Sequence, residues 1–195
     1  MREKLWTKEF DKLLAELQPL IGGTIRLPAP PDPEMARAVP SSVWLYPTLV
    51  TRMSDRRVEF TLSDIPAGRM LDVSGAVDEY LHFHVYSKIE TSFSVTLEGV
   101  FTRFRKFIRF DQEFETGNAS FDDEFYLNPR DSLARAKLKE PAIQQTIASL
   151  APIVLLNVDE GGIFLSRGVE AAEDLNTEAV QKTFTALISL VELLS

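Results

Sequence analysis

Tyr80-Leu81-His82-Phe83-His84-Val85-Tyr86 and, one short loop later, Phe93-Ser94-Val95-Thr96-Leu97 carry the pattern that decides the fold. In the first, Leu81, Phe83 and Val85 alternate with Tyr80, His82, His84 and Tyr86; in the second, Phe93, Val95 and Leu97 alternate with Ser94 and Thr96. Successive strand side chains point to opposite faces, so a period of two assigns one face to a core and the other to water. An antiparallel sheet permits that division, whereas a parallel sheet covered on both faces reads as a continuous apolar run.

Upstream, Val58, Phe60 and Leu62 alternate with Arg57, Glu59 and Thr61, Thr48 to Met53 reads as strand, and Ser54-Asp55-Arg56 as the turn between them. Val43 to Tyr46 is a further strand candidate, and residues 64–78 form a long connection through Pro66, Gly68 and Gly75. Five of the 11 prolines lie between 28 and 40, where each removes an amide donor, so an irregular surface crossing is expected. Before it, Leu5 or Trp6, Phe10, Leu13, Leu14, Leu17 and Ile21 recur at helical spacing, Gly22-Gly23 ends the helix, and Thr24 to Leu27 is a short strand.

Downstream, Phe101, Phe104, Phe107 and Ile108 share one helical face, with Arg103, Arg105, Lys106 and Arg109 on the rest, which predicts a short amphipathic helix over 100–110. Strands are expected over 112–116 and 123–127 around a Gly117-Asn118 turn, a capped helix over about 131–139, and a second helix from Pro141 carrying Ile143, Ile147 and Leu150. Ile153 to Val158 and Ile163 to Ser166 form a hairpin around Asp159-Glu160-Gly161-Gly162. A closing helix, capped near Asp174, Asn176 or Thr177, runs through Val180, Phe184, Leu187, Ile188, Val191 and Leu194, and that stripe must pack on the sheet or on another chain. The reading is α+β: an antiparallel sheet with helices packed on one side and amphipathic helices at both termini. Residues 1–195 form one domain, with a β-rich part over about 24–98 and a β-α-α-β-β-α part over about 112–195.

The chain has 195 residues, 45% of them hydrophobic, which suffices for a sizeable core. With 21 basic against 29 acidic residues the net charge is −8, which disfavours nucleic acid and anionic lipid unless a local basic patch prevails. There is no cysteine, so disulfides, thiolate metal sites and a cysteine nucleophile are excluded together, in keeping with a reducing compartment. The charged N-terminal segment is no secretory signal, and the most apolar stretch, 186–194, is far shorter than a bilayer span. The expected location is the cytoplasm, with no transmembrane segment.

Glu98-Gly99-Val100-Phe101, Phe104, Phe107 and the run Phe114-Glu115-Thr116-Gly117-Asn118-Ala119-Ser120-Phe121-Asp122-Asp123-Glu124-Phe125 resemble a widespread bacterial family of uncharacterised proteins, marked by a Thr-Gly-x-x-x-Phe-Asp-x-x-Phe turn-strand motif. The resemblance takes in Ala134-Arg135 and the hairpin and long C-terminal helix, roughly the C-terminal half. It implies an architecture and no catalytic residues. Asn118 stands where an aspartate is common, and the membrane-spanning segments of many similar proteins have no counterpart here.

Three constellations bear on chemistry. His82 and His84, at i, i+2, share a strand face and would hold a divalent metal if a neighbouring strand supplied a carboxylate; a solvated face holding two histidines is the simpler expectation. Asp122-Asp123-Glu124 offers paired carboxylates, against a turn in which Asp122 and Asn118 bind amides while Phe121 and Phe125 anchor it. Arg103, Arg105, Lys106 and Arg109 would meet lipid phosphates or an acidic protein, against a core-facing helix with a solvated basic side. No nucleophile elbow, phosphate loop or dinucleotide fingerprint is present, and no cofactor is indicated. The leading expectation is a non-enzymatic intracellular binding domain whose partner is another protein or a second copy of the chain, using the C-terminal helix or the 100–110 segment. Nucleic acid is not expected. The alternatives are a metal-dependent enzyme centred on His82 and His84 and a peripheral membrane-surface domain using 100–110.

Overall fold

Helix α1 (Thr7–Ile21) presents Phe10, Leu13, Leu14 and Leu17, all buried, on one face, and leads into an eight-stranded sheet. The computed structural model describes residues 7–27, 46–63, 80–97, 114–169 and 174–195. The expected strand at 43–46, apart from Tyr46, and the expected helix over 100–110 lie outside them. The strands are β1 (Thr24–Arg26), β2 (Thr48–Met53), β3 (Arg56–Ser63), β4 (Tyr80–Tyr86), β5 (Phe93–Leu97), β6 (Phe125–Pro129), β7 (Leu155–Asp159) and β8 (Gly162–Gly168). Helices α2 (Ala119–Glu124), α3 (Ser132–Lys137), α4 (Pro141–Ser149) and α5 (Thr177–Leu194) complete the described elements.

The strand order is β1-β2-β3-β4-β8-β7-β5-β6, and every neighbouring pair is antiparallel. The β7–β8 hairpin thus lies between β4 and β5, although both of those strands precede it in sequence. Residues 87–92 cross the roughly 14 Å that three strand spacings require. The hairpin turn fits against that crossover: the Ser87 amide donates to the Gly161 carbonyl at 3.2 Å. Gly162 has φ +132°, and a Cβ there would stand 2.1 Å from the Val85 carbonyl oxygen, so only glycine lets the turn come this close.

Register places Leu49, Phe60, Phe83, Leu165, Leu156, Val95 and Leu127 in one row across the sheet. All seven are buried, and this is the face on which the helices pack. Phe184 of α5 meets Phe83 edge-on at 5.2 Å and Phe60 at 6.1 Å, while Phe10 of α1 lies 5.4 Å from Phe60. Helix α5, capped by the Asn176 side chain accepting from the Ala179 amide at 2.8 Å, buries Val180, Phe184, Leu187, Ile188, Leu190, Val191 and Leu194. Its apolar stripe is therefore spent inside this chain, which corrects the expectation that it serves as a docking surface.

Local departures from the expected elements have local causes. Residues 119–124 are helical where a strand was expected from 123, because the Asp122 carboxylate gathers the Thr116 amide (3.0 Å), the Thr116 hydroxyl (2.8 Å) and the Gly117 amide (3.1 Å), closing the chain into a helical turn. Phe121 and Phe125, 5.0 Å apart, anchor it as expected. The Asn118 amide group turns away from this loop and donates to Gln144 at 2.8 Å. Asp131 caps α3 through the Ala134 amide at 2.6 Å and also accepts from the Ser92 amide at 2.7 Å, tying the helix start to β5.

Candidate functional site

The face of the sheet turned away from the helices carries both histidines. In register, His82 lies between Thr61 and Ser166, and His84 between Glu59 and Phe164. The face expected to be solvated is only partly so: His82, His84, Glu59, Thr61 and Phe164 are half-buried. Ser166 is 0% exposed, Thr96 is buried, and His82 Nε2 is sealed from solvent without a hydrogen-bond partner among the described residues. The Phe164 ring stands edge-on to His82 at 5.2 Å and to His84 at 6.2 Å. Burial pushes the His82 imidazole down to about 4. His84 is also lowered by burial, with Glu59 and Asp159 pulling the other way, so both rings are neutral at pH 7.

Neutral imidazoles suit a metal, but the remaining ligands are committed elsewhere. Glu59, the carboxylate opposite His84, is ion-paired with Arg57 and accepts from the Tyr86 hydroxyl at 2.8 Å. Burial pushes its carboxyl up, the bonds from Arg57 and Tyr86 outweigh that, and it stays below the usual carboxylate range. Asp159 accepts from the Asn157 side chain and the Gly161 amide, each at 2.9 Å. Among the described residues no group of three or more His, Cys, Asp or Glu could hold a metal ion. His84 instead stacks on Tyr86, with centroids 3.8 Å apart, and the Arg57 guanidinium lies 4.9 Å over the same ring.

At one end of this network an open groove of about 700 Å³ runs beside β1, walled by Ile21, Gly22 and Val50 and bordered by Arg26, Arg52 and Arg57. Its geometry follows from the exit of α1. Gly22 has φ +71°, and its amide bonds back to the Gln18 carbonyl at 2.9 Å; Gly23 has φ +105°, and a Cβ there would lie 2.5 Å from the Val50 carbonyl oxygen. Two glycines thus let the chain turn at once from helix to edge strand, pressed against β2, and the Thr51 hydroxyl fastens the corner by donating to the Ile21 carbonyl at 3.0 Å. On β2 and β3, Arg52 and Arg57 are direct cross-strand partners. Arg57 is held by Glu59, whose bond keeps its guanidinium above the ordinary value. Arg52 donates to the Asp55 carbonyl at 3.3 Å, and neither Arg52 nor Arg26 has a carboxylate within ion-pair distance among the described residues.

Sequence reasoning placed Arg57 on an outward strand position and did not connect it with Arg52 or Arg26. A signal existed. Ser54 and Asp55 adopt φ 47° and 62°, so the turn has two residues rather than the expected three, and a two-residue hairpin sets Met53 opposite Arg56 and hence Arg52 opposite Arg57. The basic residues singled out from sequence, Arg103, Arg105, Lys106 and Arg109, lie outside the described residues. No helix among the described residues is long and apolar enough to cross a membrane. Comparison of the chain with protein-family models, with curated proteins and with solved structures finds no match.

Proposed function

We propose that this chain is a non-enzymatic binding domain acting in the cytoplasm, and that it recognises an anionic group through the arginine-bordered groove beside β1. One observation carries the reading: in a chain of net charge −8, Arg26 and Arg52 stand at a groove with no carboxylate partner among the described residues, and Arg57 shares a single one. Guanidinium groups remain protonated and present a rigid fork that fits a carboxylate or phosphate in two places at once. They neither take nor give protons near neutral pH, which suits holding a charge better than acid–base chemistry.

The test is a titration of the intact protein with sulfate, phosphate and citrate at low ionic strength, followed by calorimetry. Binding is expected, with an affinity that the double charge reversal Arg26→Glu, Arg52→Glu lowers at least about tenfold, since each charge-assisted bond contributes on the order of 1.5 kcal/mol or more. Unchanged affinity in that variant, or no binding of any anion by the wild type, defeats the reading.

A further inference from the structure

Resting on that reading, we infer that the groove is selective for a phosphomonoester dianion carried on an organic body, the phosphoryl group bridging Arg52 and Arg57 with Arg26 as the third cation. The first support is the Arg52–Arg57 pairing itself. The two residues face each other directly across β2 and β3, both exposed, on the same side of the sheet. Like charges so placed repel. Glu59 pairs with Arg57 alone, and Arg52 has only the Asp55 carbonyl, so an anion lodged between the two forks would answer both charges.

The second support is charge balance. Three guanidinium groups less the ionised Glu59 leave about two positive charges at the groove. A phosphomonoester carries about −1.5 to −2 at neutral pH, with three acceptor oxygens to divide among the forks, whereas a monoanion answers only half of that charge. The third is size. A groove of about 700 Å³ lies in the range that holds a whole small molecule and greatly exceeds a bare phosphate. Ile21 and Val50 offer apolar wall, and at Gly22 the space a side chain would fill is empty, so an organic body has room beside the arginines. Three cations in an acidic chain give a point contact and not the extended track that a nucleic acid requires.

Calorimetry of the full chain with phenyl phosphate and phenyl sulfate, of nearly the same shape but different charge, decides the matter, together with thermal unfolding in anion-free buffer. Phenyl phosphate is expected to bind at least about tenfold more tightly than phenyl sulfate and more tightly than inorganic phosphate. Arg52→Gln is expected to weaken binding about tenfold and to shrink the phosphate-induced rise in Tm, while leaving the Tm of the unliganded protein nearly unchanged, because its bond to the Asp55 carbonyl is exposed; loss of a merely structural arginine would lower it. Arg26→Gln provides a second variant expected to weaken binding. Vesicles of phosphatidylcholine with and without phosphatidic acid separate the sources: retention that phenyl phosphate competes away assigns the group to a lipid headgroup, and phenyl phosphate binding without retention assigns it to a soluble ligand. Equal binding of the two phenyl esters, or binding of citrate alone, overturns the phosphomonoester assignment and leaves anion recognition standing. If no anion binds, both fall.

Discussion

At His82 the imidazole sits between Thr61 and Ser166 and against the edge of Phe164, with its Nε2 sealed from water. A proton there would place a charge in a largely desolvated site, which is why the folded value falls from 6.5 to about 4. The sign of the consequence follows from proton counting. Between pH 6.5 and about 4 the unfolded chain binds a proton at this residue and the folded chain does not, so acidification across that window destabilises the fold. The full effect is about 3 kcal/mol and is absent above the window. Urea titrations at several pH values are expected to show it as a slope that His82→Leu removes, whatever that variant does to stability at pH 7. An identical slope in wild type and variant would mean that His82 is solvated. His82 and His84 were legible as a pair sharing one face, because period two is a local property. Their surroundings were not, because Phe164, which meets both rings edge-on, lies some 80 residues away along the chain.

Among the elements, the β7–β8 hairpin depends most tightly on one residue. Asp159-Glu160-Gly161-Gly162 was readable as a turn, since glycine and aspartate supply its conformations. What the turn touches was not readable: it nests against the β4–β5 crossover at Val85 and Ser87. Gly162→Ala meets both an unfavourable φ of +132° and a backbone oxygen 2.1 Å away, so it is expected to cost about 3 kcal/mol or more. Gly117→Ala meets the positive φ of +90° but empty space, and is expected to cost about 1–2 kcal/mol. Denaturant midpoints for the two variants check the difference, and equal losses would contradict the close approach at β4. The α2 turn makes a similar point. Asp122 and the phenylalanines were identified as a turn and its anchors, yet the helical closure that delays β6 to Phe125 depends on the carboxylate collecting three donors at once.

Across the whole molecule, the two parts distinguished in the sequence do not lie side by side. Strand β4 pairs with β8, and β5 has β6 and β7 as its neighbours, so each part completes the sheet of the other. A fragment of residues 1–111 would leave β5 with no partner strand and β4 with an open edge, while stripping Phe60 and Phe83 of Phe184. That fragment is expected to be unfolded, checked by circular dichroism and by the dispersion of its amide NMR signals. A dispersed, cooperative fragment would show that the interleaving is dispensable.

By itself the sequence determined the α+β class, the antiparallel character of the sheet, the buried face of β3, β4 and β5 and the amphipathic helices at both ends. These follow from the spacing of apolar residues, from caps and from turn-forming pairs, all of which act over a few neighbouring residues. Only the tertiary structure decided that the β7–β8 hairpin enters between β4 and β5, that His82 Nε2 is sealed from solvent, and that Arg26, Arg52 and Arg57 border one groove. Strand partners are chosen by how distant surfaces fit once the chain has closed on itself, and that choice leaves no mark in the local alternation of residues.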